Sequence, residues 1–237
     1  MKIRKVITLF LVFGLYQDLF LKNKQHLSCS ATYKFPDGTK YGVAHHDVDR
    51  AGVILVVPTG IQSRKQFEKY GVIVGHDKNL KSWMIGQAGK MDSCDCSSAV
   101  TASRELLEET GGFFKMSAAN IAKLPYIYAG NKQMFLYLSK DLRLLSLIKD
   151  AVKKVQGNMH IDKSYQEIDD VEVVTLKNLL DLANKIDQGL IQKGQYYVTT
   201  VSGKKIQLDT WYTQIFAHSY DHDRLKYGTK ILEALVA

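Results

Sequence analysis

Between Ser97 and Gly111 the chain abandons a strand-like pattern, and three carboxylates arrive at helical spacing. Val100, Leu106 and Leu107, with the small Ala99 and Ala102, fit one face of a helix better than a strand. Asp95 or Ser97 can cap its start, and Gly111 can take the left-handed position that ends it. In Arg104-Glu-Leu-Leu-Glu-Glu-Thr-Gly-Gly112 the spacing of three and four residues puts Glu105, Glu108 and Glu109 on one side. Like charges so placed repel one another, and Arg104 can neutralise only part of them. A hard divalent cation with oxygen ligands would compensate the remainder. The plain alternative is a solvated helix face. The context favours the metal: a Gly-rich strand end within Gly86–Asp92 precedes the helix, and Thr110-Gly111 stops it.

The flanking segments predict an α/β protein. Ala51–Pro58 and Tyr70–His76 are short β-branched runs and predict buried strands, with a charged loop over 59–69 between them. Asp77–Asn79 is turn chemistry, and Ser82–Ile85 starts a third strand. Strand character returns at Tyr126–Tyr128 and Met134–Leu138, joined as a hairpin through Gly130 and Asn131, and again at Val171–Leu176. Lys177–Asp187 predicts an amphipathic helix with Leu179, Leu180, Leu182 and Ile186 inward, and 208–236 reads as mostly helical. Strands on both sides of one central helix suggest a mixed sheet sandwiched between helices.

The 237 residues suffice for one domain with a full core, and three prolines without a low-complexity tract announce no linker. Residues 1–31 form a hydrophobic leader or extension: Lys2, Arg4 and Lys5 precede an apolar run over 6–16 that has signal-peptide shape but is too short to span a bilayer. The expected domain covers 32–200, followed by a helical extension over 201–237. A cytoplasmic location is favoured over export through the N-terminal segment. Cys29, Cys94 and Cys96 are an odd set with a one-residue gap, which suits free thiols better than a disulfide or zinc framework. The net charge of +8 suits polyanionic partners, but the lysines are scattered and no motif indicates RNA.

The stretch from Trp83 to Gly112 resembles the Nudix hydrolase family, whose box runs Gly, five residues, Glu, seven residues, Arg-Glu-aliphatic-x-Glu-Glu-x-Gly-aliphatic. Gly89 matches the box glycine, and Arg104, Glu105, Leu106, Glu108, Glu109 and Gly111 match its second half without a gap. With the flanking segments the resemblance covers roughly residues 50–182. It implies a Nudix-like α/β/α sandwich around a mixed sheet. It implies Mg²⁺, with Mn²⁺ as an alternative, held by Glu105, Glu108, Glu109 and the carbonyl of Ala88. Glu105 would also orient and deprotonate water, Arg104 would pair with a box carboxylate, and Glu167 is the chosen additional acid, with Asp169 and Asp170 behind it. Lys90 is the candidate phosphate contact.

Two departures stand in the front half. One residue too many separates Gly89 from Arg104, so the first box glutamate falls on Asp95 counted forward or Cys96 counted back. Asp95 is taken as the stand-in partner of Arg104. Gly112 stands where the family has an aliphatic residue. The resemblance implies an enzyme that hydrolyses the diphosphate linkage of a nucleoside diphosphate joined to another moiety. The other reading is a catalytically weak Nudix-like module that binds a nucleotide or a protein. His45-His46, His218…His222 and the set Tyr126, Tyr128, Phe135 and Tyr137 are read as surface histidines and core aromatics.

Overall fold

The computed structural model describes residues 48–129, 132–192 and 194–210. The leader, the Gly130-Asn131 turn, the four histidines just named and residues 211–237 lie outside the described residues. The order is β1 (Arg50–Pro58), α1 (Gln66–Lys69), β2 (Tyr70–Asp77), β3 (Ser82–Ile85), β4 (Gln87–Lys90), α2 (Ser98–Glu109), α3 (Ala118–Ile121), β5 (Tyr126–Ala129) and β6 (Lys132–Leu138). Then come α4 (Leu144–Val155), a 3₁₀ turn (Lys163–Gln166), β7 (Ile168–Thr175), α5 (Leu176–Asp187), β8 (Tyr197–Thr199) and β9 (Lys205–Gln207).

Seven strands form one mixed, mostly antiparallel sheet, in which only β1 and β6 run parallel among the named pairs. Its central strand is β1, whose continuous apolar run is buried on both faces as predicted. Ala51, Val53, Leu55 and Val57 meet Ala102 and Leu106 of α2 and Ile148 and Val152 of α4. Ile54 and Val56, pointing the other way, meet Leu176, Leu179 and Leu182 of α5 and Val198 and Ile206 of the β8–β9 hairpin. Helices therefore cover both faces of the sheet.

One irregularity positions the candidate site. β1 and β2 pair only over Val56–Pro58 and Tyr70–Val72 and then part company. Into the gap goes the β3–β4 segment: β3 pairs with the far half of β2, and β4 with the near half of β1. The switch occurs at Gly86, with φ +82°, where an added Cβ would lie 2.5 Å from Met134 Cε. Only glycine combines that backbone with that contact. The Gly-rich strand end expected before the helix is a strand of its own, Gln87–Lys90, bound to β1 by the opening between two longer strands.

Three further expectations change. The 59–69 loop ends in the short α1. A helix over Leu144–Val155 supplies core side chains that the sequence reading passed over. The expected boundary at 200 falls inside the β8–β9 hairpin, whose Ile206 belongs to the core, and residues 201–210 are turn and strand, not helix. Among the described residues no helix is long and apolar enough to cross a membrane.

Candidate functional site

The helix α2 is terminated at both ends by its own sequence. Ser97 is the N-cap, its hydroxyl accepting from the Val100 amide, so of the two candidate caps Asp95 is released for another task. At the other end the Gly111 amide donates to the Glu108 carbonyl and the Gly112 amide to that of Leu107, the pairing of a Schellman motif. Gly111 and Gly112 both have positive φ, +63° and +79°, which is why an aliphatic residue is absent at 112. An added Cβ on Gly111 would also sit 2.9 Å from the backbone of Ala151 in α4.

The helix lies across β4, and its acidic side meets the wedge. A Cβ on Gly89 would fall 2.2 Å from Glu105 Oε1, so glycine is the residue that lets this carboxylate lie against the strand. The Ala88 amide donates to Glu109 Oε2 at 3.2 Å. Arg104 is the hub: Nη1 donates to Glu105 at 2.5 Å and Glu108 at 3.2 Å, while Nη2 donates to Asp95 and to the Lys90 carbonyl, each at 2.9 Å. Asp95 is also bound by the Thr101 hydroxyl and accepts from the Asp92 amide. The one-residue-longer loop still delivers a carboxylate to Arg104.

One guanidinium serves too many acids. Burial, opposed by Arg104 and reinforced by Glu108, holds the Glu105 carboxyl at about 7. Burial likewise raises Glu108, and burial with the charges of Glu105 and Glu167 raises Glu109 well above its ordinary value. Burial and then Asp77 raise Glu167. Burial alone would lower the affinity of Arg104 for its proton, but Asp95, Glu105 and Glu108 outweigh it and raise that affinity.

The structure brings together Arg104, Glu105, Glu108, Glu109, Glu167 and Ala88 from the expected set. At Ala88 the observed contact to the cluster is through its N–H. Lys90 is exposed next to Gly89, with its carbonyl on Arg104. Asp169 and Asp170 are engaged elsewhere, with His76 at 2.6 Å and Lys204 at 2.8 Å. Missing from the sequence reading are Asp77, whose charge reaches Glu109 and Glu167, and Ser164 and Tyr165 of the 3₁₀ turn, which lie against Glu108. Turn chemistry explained Asp77 fully in the sequence, and it does cap that turn, accepting from Asn79 and Leu80. Phe135 and Tyr137 pack with Tyr126 and Phe114 as core aromatics.

Among the described residues no three acidic, His or Cys side chains stand as a preformed metal cage, and Arg104 holds two of the glutamates. The donor chemistry nevertheless suits a hard cation: oxygen ligands in excess of positive charge, beside a glycine that leaves room. Two buried polar atoms lack a hydrogen-bond partner among the described residues, Gln87 Oε1 on the wedge and Arg104 Nε on the hub. Both lie in residues that frame the cluster. No family model matches the chain, and no curated protein matches it.

Proposed function

We propose that this chain is a Nudix-type hydrolase that uses Mg²⁺, or Mn²⁺, to cleave the diphosphate linkage of a nucleoside diphosphate joined to another moiety. The observation that carries the reading is the gathering of Glu105, Glu108, Glu109 and Glu167, only the first two of them bonded to Arg104, at the point where Gly89 opens the strand to Glu105. Glu105, Glu108 and Glu109 would hold the cation, which would neutralise phosphate oxygens and make water a better nucleophile. The protein's own part begins with Glu105. Glu105, which lies against Gly89, is the carboxylate placed to take a proton from attacking water. Arg104, tied to Asp95 and to the Lys90 carbonyl, fixes Glu105 and Glu108 relative to β4. Glu167, between the 3₁₀ turn and β7, adds negative charge, and Lys90 offers a point charge to phosphate.

A second reading, binding of a nucleotide or protein without turnover, draws support from the same hub, since two glutamates are already engaged by Arg104. Phosphate release from a panel of dinucleoside polyphosphates, nucleotide sugars and nucleoside triphosphates, with Mg²⁺ or Mn²⁺, separates the two. Hydrolysis of at least one substrate, lost on chelation and in Glu108→Gln, is expected. Binding without metal-dependent turnover of any of them would sink the enzyme reading.

A further inference from the structure

Two buried glutamines stand on the α2 face of the sheet, and their side-chain carbonyls are treated differently. Gln133 of β6 is in register with Ala51, and its Oε1 accepts from the Ser98 hydroxyl, at the start of α2, at 2.6 Å. Gln87 of β4 is in register with Val53 and only 1% exposed, yet its Oε1 has no hydrogen-bond partner among the described residues. A buried carbonyl oxygen that meets no donor has lost its hydration without a replacement. The first glutamine fastens a helix. The second does not.

The position of Gln87 says what it can serve. Side chains alternate along a strand, so Gln87 and Gly89 share the face of Val53 and Ala51, which pack against Ala102 and Leu106 of α2. The close approach of Glu105 to Gly89 fixes the same face independently. Between the two residues, the Ala88 amide donates to Glu109 Oε2 at 3.2 Å. Gln87 therefore stands beside the backbone that touches Glu109, and about 6.8 Å along the strand from the glycine that touches Glu105. Two long side chains converging from strand and helix span that interval. Charge favours an amide here. Arg104 is already shared by Asp95, Glu105 and Glu108, so another carboxylate would deepen the repulsion. A neutral carbonyl adds an oxygen without adding charge, and hard cations accept such oxygens beside carboxylates.

We propose that Gln87 Oε1 is a further oxygen ligand for the divalent cation, completing from β4 a donor set that Glu105 and Glu109 supply from α2. This rests on the reading of the glutamate cluster as a cation site, and the test keeps that reading and the role of Gln87 apart.

Mn²⁺ is titrated calorimetrically into the full chain at pH 8, and thermal midpoints are recorded in EDTA, for wild type, Gln87→Met, Gln87→Glu and Gln133→Met. Gln87→Met keeps a long unbranched side chain and exchanges a hard oxygen for a soft thioether. It should weaken Mn²⁺ binding about ten- to a hundredfold, the usual loss when a group serving a metal site is removed, without lowering the midpoint in EDTA. Gln87→Glu should do the opposite, tightening Mn²⁺ about tenfold and lowering the midpoint in EDTA, because a further acid joins the cluster. Gln133→Met, which strips the Ser98 hydroxyl of its acceptor, should lower the midpoint in EDTA and leave Mn²⁺ affinity unchanged. Mn²⁺ affinity indifferent to both Gln87 variants overturns the ligand assignment, as does a midpoint in EDTA that falls in Gln87→Met as far as in Gln133→Met. Metal-dependent hydrolysis beside either result leaves the enzyme reading standing without Gln87. Weaker Mn²⁺ binding in Gln87→Met, with no hydrolysis of any substrate, keeps the ligand and removes the enzyme reading. A wild type that binds no Mn²⁺ overturns both.

Discussion

Glu172 on β7 and Glu105 on α2 are withdrawn from water to the same degree, 6% and 8% exposed, yet their surroundings treat them in opposite ways. Glu172 is fully served: Lys149 donates to one carboxylate oxygen and the Ser202 hydroxyl to the other, each at 2.8 Å. Its charge is matched by one cation, and the pair links α4 and the β8–β9 turn to the sheet. Glu105 shares Arg104 with Asp95 and Glu108, while Glu109 and Glu167 add further negative charge, which Lys78 and Arg104 offset in part at Glu167. Burial is common to both sites; charge balance is not. A structural ion pair closes on itself, whereas an acidic cluster that stays undercompensated is poised for a cation from solution.

Substitutions should pull the two sites apart. The largest effect is expected at Glu108→Gln, which should lower metal-dependent kcat by about a hundred- to a thousandfold. Its thermal midpoint in EDTA should not fall, because a repelling charge has been removed. A parallel loss of stability would place Glu108 with Glu172 as a scaffold residue. The reverse result is expected at Glu172→Gln, which leaves the Lys149 ammonium without its counter-ion. Stability measured by urea unfolding should drop by about 2 kcal/mol, with kcat per folded molecule unchanged. Asp95→Ala should be smaller, lowering kcat about tenfold with KM less affected, as expected for a positioning residue that acts through Arg104. An unchanged kcat would show that the longer loop has no bearing on the site.

The contrast also explains what the sequence could reveal. Glu105, Glu108 and Glu109 were legible because a helix imposes its period on neighbours in the chain, and Ser97 and Gly111 mark its ends by local chemistry. Asp95 was legible as a partner of Arg104 because the loop between them is short. The β4 strand was not, since Gln87-Ala-Gly-Lys90 has no β-forming pattern and is extended only because β1 and β2 diverge around it. Asp77, Ser164 and Tyr165 join the cluster through tertiary packing. Nothing in their own segments distinguishes them from turn and loop residues. The partnership of Glu172 with Lys149 and Ser202 was hidden for the same reason, and Lys149 lies on α4, a helix that the sequence reading did not identify.

Proton linkage supplies the sign for the last test. Glu105 titrates at about 7 in the fold, above its ordinary value, so its contribution to stability is present at acid pH and is lost as pH rises through about 7. Glu108, Glu109 and Glu167 are shifted in the same direction. A divalent cation needs the ionised carboxylates, and its binding must expel those protons. Mn²⁺ titrated calorimetrically at pH 6.5, in buffers of different ionisation enthalpy, measures both quantities at once. The account predicts binding with net proton release, strengthening toward pH 8 and lost in Glu109→Gln. No binding, or binding without proton release that survives both Glu108→Gln and Glu109→Gln, would contradict it.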